Sequence, residues 1–156
     1  MNKALDNLVS KDSPLLKNFK EINKGVAPSL MYLSRQRNVS DFREMKRWSA
    51  IGKSLFIISG LFFTNPQRAE IIMQYVEASF NWLRSFENPF RRRRDFWTAE
   101  TELAERMVEM RRAFLFGDLD TVTIKLLEIK QLSGELVEIV HEHKADPKAQ
   151  FTAERV

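Results

Sequence analysis

Apolar residues recur along most of this chain at spacings of three and four, the period of an α-helix with one buried face. The exception is Trp48 to Phe63, WSAIGKSLFIISGLFF, where apolar side chains cover every face of the helix they predict. Ile51, Leu55, Ile58 and Phe62 form one row, while Ser49, Gly52, Ser59 and Gly60 form a row of small residues along which a second helix can approach. A helix apolar all round is a buried helix. Lys53 interrupts the stretch and Thr64, Asn65 and Pro66 close it, so it falls about a turn short of the roughly 20 apolar residues that span a bilayer. The expectation is a protein core.

Caps and helix breakers divide the rest of the chain. Residues 1–12 read as a loosely held arm anchored by Leu5, Leu8 and Val9. Ser13 and Pro14 start a short helix carrying Leu15, Leu16, Phe19 and Ile22, which Gly25 ends, and Pro28 starts another through Leu30, Met31 and Leu33 to about Asn38. Ser40 caps a helix that runs on through the apolar stretch. Asn65 and Pro66 open the next, with Ile72, Val76, Phe80 and Leu83 as its stripe and Trp82 and Phe86 beside them. A turn that tight folds the two helices antiparallel. Asn88 and Pro89 repeat the start signal, and after Thr98 a helix carrying Leu103, Met107, Met110 and Phe114 runs to Gly117.

From Asp118 or Asp120 a last long helix places Leu119, Val122, Leu126, Ile129, Leu136 and Val140 at alternating spacings, with Ser133 in the one missing position. That spacing suits a coiled-coil seam, which makes these six residues the candidate protein interface. Gly134 costs the helix about 1 kcal/mol relative to Ala, and so calls for a close neighbour or a bend. The pattern as a whole predicts an all-α, single-domain bundle of five or six helices over residues 13–144, with an arm at 1–12 and a tail at 145–156.

Composition narrows this further. A chain of 156 residues fits one domain, and five Gly with five Pro are too few for the turns of an all-β fold. The absence of cysteine removes a disulfide framework, a thiolate metal site and a cysteine nucleophile. MNKALDNLVSKDS contains no apolar core of a signal peptide, which makes a cytoplasmic setting the expectation. Charge is distributed unevenly: residues 1–97 carry 17 Lys+Arg against 9 Asp+Glu, and residues 98–156 carry 8 against 12. A basic surface of this kind faces an anionic partner, or the acidic half of a neighbouring copy.

The densest positive charge is Arg91, Arg92, Arg93 and Arg94, flanked by Phe90, Phe96 and Trp97. Guanidiniums without internal partners bind phosphate or carboxylate in bidentate fashion, and aromatic neighbours can stack on unpaired bases. Glu87 and Asp95 are the nearby acids, with Glu100, Glu102 and Glu105 a turn further on. Lys46 and Arg47 add to the basic surface.

Three other patterns carry less. Gly52-Lys53-Ser54 resembles the end of a phosphate-binding loop, but Arg47 stands where its first glycine belongs and no strand precedes it. Glu138 and His141, with His143 beyond, make one Glu-x-x-His step where a di-iron bundle needs two. Glu100, Glu102, Glu105 and Glu109 read as carboxylates on exposed turns, with nothing to bury a pair of them for acid–base work.

The expectation is therefore a non-enzymatic binding or assembly protein without cofactor or metal. Its arginine corner would meet nucleic-acid phosphates irrespective of sequence, through Arg91 to Arg94, Trp97, Lys46 and Arg47. The alternatives are an adaptor, homo-oligomer or subunit of a larger assembly that uses the last helix and an acidic partner, and a peripheral membrane protein that uses Trp48 to Phe63.

Overall fold

The computed structural model describes residues 14–36 and 42–143, with side chains from residue 21 onward apart from those of Ser59, Phe62 and Phe63. The arm at 1–12, the caps Ser13 and Ser40, the side chains of Leu15, Leu16 and Phe19, and the tail from 145 lie outside the described residues. The described chain is all-α. Its helices are α1 (Pro14–Ser34), α2 (Phe42–Thr64), α3 (Pro66–Leu83), α4 (Arg94–Leu115) and α5 (Leu119–His143), with one 3-10 turn at Pro89–Arg92 between α3 and α4. None of the described helices is long and apolar enough to cross a membrane.

The principal packing forms a closed ring: α1 on α2, α2 on α3, α3 on α4, α4 on α5, and α5 back on α1. Each helix directs one stripe inward. Leu30, Ile51, Leu55, Ile58, Phe80, Leu103, Phe114, Leu126, Ile129 and Leu136 are all fully buried in one continuous core. The Asn65 side chain caps α3 by accepting from the backbone N–H of Arg68 at 3.1 Å. This single-residue joint folds α3 back along α2, so that Trp48 near the start of α2 meets Phe80 near the end of α3 edge to face at 5.9 Å. Gly117, at φ 76°, closes α4, and Asp118 caps α5 by accepting from the Thr121 N–H at 3.1 Å.

Three expectations change. The two short helices predicted on either side of Gly25 are one helix, α1, with Pro28 inside it. Ile22, Val26, Leu30 and Leu33 continue the same inward stripe past both residues, and Pro28 lies on the exposed side, so burial of the stripe outweighs the local breakers. Gly25 does not end the helix; a β-carbon there would meet only the far end of the flexible Lys130 side chain of α5. Helix α4 begins at Arg94, a turn before the predicted start.

The third change concerns the apolar stretch, which is not buried on every face. Ile51, Leu55 and Ile58 are enclosed, but Phe56 is 64% and Ile57 50% exposed, and Gly60 is exposed with open space around it. A helix in a ring keeps an outward side. Of the small-residue row, Gly52 does admit a neighbour, with Leu30 and Met31 of α1 within ordinary contact of its missing β-carbon.

Gly134 lies inside the unbroken α5, and a β-carbon added there would meet nothing within 4 Å. Gly134→Ala is therefore expected to raise the free energy of unfolding by about 1 kcal/mol, read as a higher urea midpoint at unchanged slope. A lower midpoint would mean that the position is tightly packed.

Candidate functional site

The four arginines do not act as one patch, because the turn that carries them points them in different directions. Asn88 caps this turn, its side-chain oxygen accepting from the Phe90 N–H at 2.8 Å, and Phe90 is fully buried against Phe96 at 5.7 Å between ring centres. Burying Phe90 sends the next side chain, Arg91, between α2 and α4, where it is only 7% exposed.

All five guanidinium N–H donors of Arg91 are used. Nε and one terminal nitrogen grip Glu100 of α4 at 2.9 and 2.8 Å. The two terminal nitrogens grip Glu44 of α2 at 2.8 and 3.3 Å, and the fifth N–H goes to the Phe86 carbonyl at 2.9 Å. Glu44 also accepts from Trp48 Nε1 at 3.1 Å and from Asn88 Nδ2 at 2.7 Å. Both carboxylates are completely buried. Arg84, 3.7 Å from Glu100 and stacked on Trp97 at 4.2 Å, brings a second positive charge to the pair.

Electrostatics follow from that geometry. Burial weakens the hold of Arg91 on its proton, but hydrogen bonds and charge from Glu100 and Glu44 more than offset this and leave its pKa raised. Burial pushes the Glu100 carboxyl above its ordinary range, against the pull of Arg91 and with the Glu44 charge adding to the rise. Glu100 is thus not on an exposed turn as expected, and two carboxylates are buried together. Arg91, clamped between them, holds both carboxylates in buried ion pairs.

The expectation of unneutralised guanidiniums is corrected for the others as well, though less completely. Arg92 pairs with Glu87 at 2.9 Å and Arg93 with Asp95 at 3.2 Å, both in exposed geometry. Arg94 is exposed and has no ion pair among the described residues. Of the flanking aromatics, Phe90 and Phe96 belong to the core, and only Trp97 is substantially exposed.

Lys46 and Arg47 prove to lie in a different place, a groove of about 400 Å³ between α2 and α3 lined by Arg43, Lys46, Arg47, Ala50, Tyr75, Trp82 and Phe86. The Arg47 guanidinium sits 3.6 Å over the Trp82 ring, Arg43 lies 5.1 Å over Phe86, and Lys46 lies 4.5 Å over Phe42. Trp82 and Phe86 stack at 6.4 Å with 17° between their planes, and Trp82 is 54% exposed. Among the described residues no carboxylate lines the groove. The sequence reading missed Tyr75, Trp82 and Phe86 as site residues, although the signal was present: Ile71, Tyr75, Ala78 and Trp82 form a second stripe on α3 at helical spacing, and all four are exposed.

The seam of α5 is occupied by its own chain. Val122, Leu126, Ile129, Leu136 and Val140 are buried against the ring and Leu119 is partly buried, so these six are not an open interface. Beside it, Arg106 and Glu109 of α4 join Lys125 and Glu128 of α5, with Arg106 to Glu128 at 2.7 Å and Lys125 to Glu109 at 2.7 Å. Gly52, Lys53 and Ser54 lie within α2, not in a loop. Glu138 and His141 are exposed on α5. Comparison of the chain with protein-family models, with curated proteins and with solved structures returned no match.

Removing the Arg91 side chain leaves two buried carboxylates uncompensated. Arg91→Ala is expected to lower unfolding free energy by about 3–5 kcal/mol, and Arg91→Lys to destabilise as well, since an ammonium cannot face both carboxylates edge-on. Arg92→Ala and Arg94→Ala should each stay within about 0.5 kcal/mol. Urea unfolding of the four variants checks the contrast, and equal effects across them would contradict the division of roles.

Proposed function

We propose that this protein is a non-enzymatic nucleic-acid-binding protein that contacts phosphates irrespective of sequence. Lys46 and Arg47 in the α2–α3 groove supply the first contacts, and Arg92, Arg93 and Arg94 at the adjoining turn extend them. The groove and the turn are neighbours because Phe86, under Arg43, also gives its carbonyl to Arg91. Arg91 takes no part in binding; its donors are all used inside the fold.

The observation that carries this reading is a groove that gathers cations and exposed aromatic rings, with no lining carboxylate among the described residues. Lys46, Arg47 and Arg94 form no ion pair among the described residues, so a phosphate meets charge that no described carboxylate neutralises. Exposed pairs such as Arg92 with Glu87 contribute only about 0–1 kcal/mol, and their arginines can exchange a carboxylate for a phosphate at little cost. Binding of this kind releases counterions and weakens steeply with salt.

A protein adaptor is the second reading, favoured by a different observation. An apolar groove of about 400 Å³ between α1 and α2 is lined by Ala27, Met31, Gly52, Lys53, Phe56 and Ile57, with Phe56 and Ile57 exposed as noted. Self-association that survives high salt and is lost in Phe56→Glu supports it.

Combined Lys46→Ala and Arg47→Ala changes are expected to weaken nucleic-acid binding at low salt. They should also make the fall in affinity between about 50 and 200 mM salt roughly sevenfold smaller, since each lost phosphate contact removes about 0.7 from the logarithmic salt slope on a single strand. Fluorescence anisotropy with a labelled oligonucleotide measures both. Unchanged affinity and slope would remove the groove from the site.

A further inference from the structure

We infer that the α2–α3 groove seats an unpaired base, so that the ligand class is single-stranded nucleic acid; this rests on the nucleic-acid reading above. Phosphate attraction alone requires no aromatic surface and no concavity. Here the cations stand over rings: Arg47 over Trp82, Arg43 over Phe86. Tyr75 and Trp82 are 42% and 54% exposed where two turns of α3 could have carried polar side chains. Both rings line the same groove, and a ligand that covers them removes apolar surface from water.

A duplex makes poor use of such a groove. Its bases are stacked on one another, and it presents phosphates and groove edges to a protein surface. A single strand can turn one base out and lay it on a ring while the phosphates on either side meet the surrounding cations. The groove volume of about 400 Å³ falls in the range of about 300–1,000 Å³ usual for sites that enclose a small planar ligand. The Arg47 guanidinium lies 3.6 Å over the indole ring. A base that takes this face displaces the guanidinium towards the adjacent phosphate, so the same side chain turns from the ring to the backbone of the strand. Any base has a π-face, so the seat is indifferent to sequence.

The test uses the full chain at one low salt concentration with three labelled probes: an oligothymidylate, an abasic strand of the same length, and a duplex of the same phosphate count. The expected result is that the oligothymidylate binds at least about fivefold tighter than the other two. Trp82→Ala should lower its affinity about 5- to 150-fold, to the level of the abasic strand, without changing the other two probes, and Trp82→Phe should restore most of the loss. Trp82 is largely exposed, so these changes are not expected to unfold the chain. Equal binding of oligothymidylate and abasic strand overturns the base seat and leaves the phosphate reading standing. A preference for oligothymidylate that survives Trp82→Ala overturns the assignment to this groove. No binding by any probe defeats the nucleic-acid reading itself.

Discussion

The guanidinium of Arg91, held edge-on by Glu44 on one side and Glu100 on the other, is the interaction on which the rest of the molecule depends. It joins α2 to α4, and both to the turn between α3 and α4, at one fully enclosed point. Two carboxylates without water are strongly unfavourable, and a guanidinium that meets both in bidentate fashion while also satisfying a backbone carbonyl is the arrangement that makes their burial tolerable. Asn88 and Trp48 donate to the same Glu44, so the turn, the start of α2 and the core share one carboxylate. Replacing such a cluster with apolar side chains can be neutral or even stabilising, whereas removing one partner leaves an uncompensated buried charge.

That seating has consequences for the surface. With Arg91 turned inward, Arg92 and Arg94 are exposed and Arg93 is partly so, while Phe86, whose carbonyl Arg91 holds, lines the α2–α3 groove. The start of α2 therefore carries two opposite chemistries one turn apart. Glu44 and Trp48 point into the ring and are buried, while Arg43, Lys46 and Arg47 line the groove. The ring architecture explains why exposed rings gather here. Each helix has two principal neighbours and must leave one side outward, and on α3 that side carries Ile71, Tyr75, Ala78 and Trp82.

Much of the fold was legible from spacing alone. The stripes Val76–Phe80–Leu83, Leu103–Met107–Met110–Phe114 and Val122–Leu126–Ile129–Leu136–Val140 are the buried stripes, because a 3.6-residue period records which side of a helix is dry whatever covers it. What covers it is not recorded, and so the α5 seam, which suits a second chain equally well, turns out to face α4 and α1. Gly25 and Pro28 read as breaks because local propensity is a weak term that a continuous buried stripe overrides. The site was harder to read. Four adjacent arginines look alike in sequence, and only the burial of Phe90 decides that Arg91 turns inward; its partners lie 47 and 9 residues away. Glu100 looked like an ordinary surface acid for the same reason. Lys46 and Arg47 were found as charges, but Trp82, the ring beneath Arg47, comes from another helix.

The central claim is that Arg91 belongs to the fold and not to the binding surface, which a double-mutant cycle tests most directly. Glu44→Gln, Arg91→Met and the double variant, unfolded in urea, report the energy the two side chains share. The account predicts a coupling of at least about 1.5 kcal/mol, in the upper part of the range for residues in direct contact. Effects that add to within about 0.5 kcal/mol, as for distant independent sites, would contradict it.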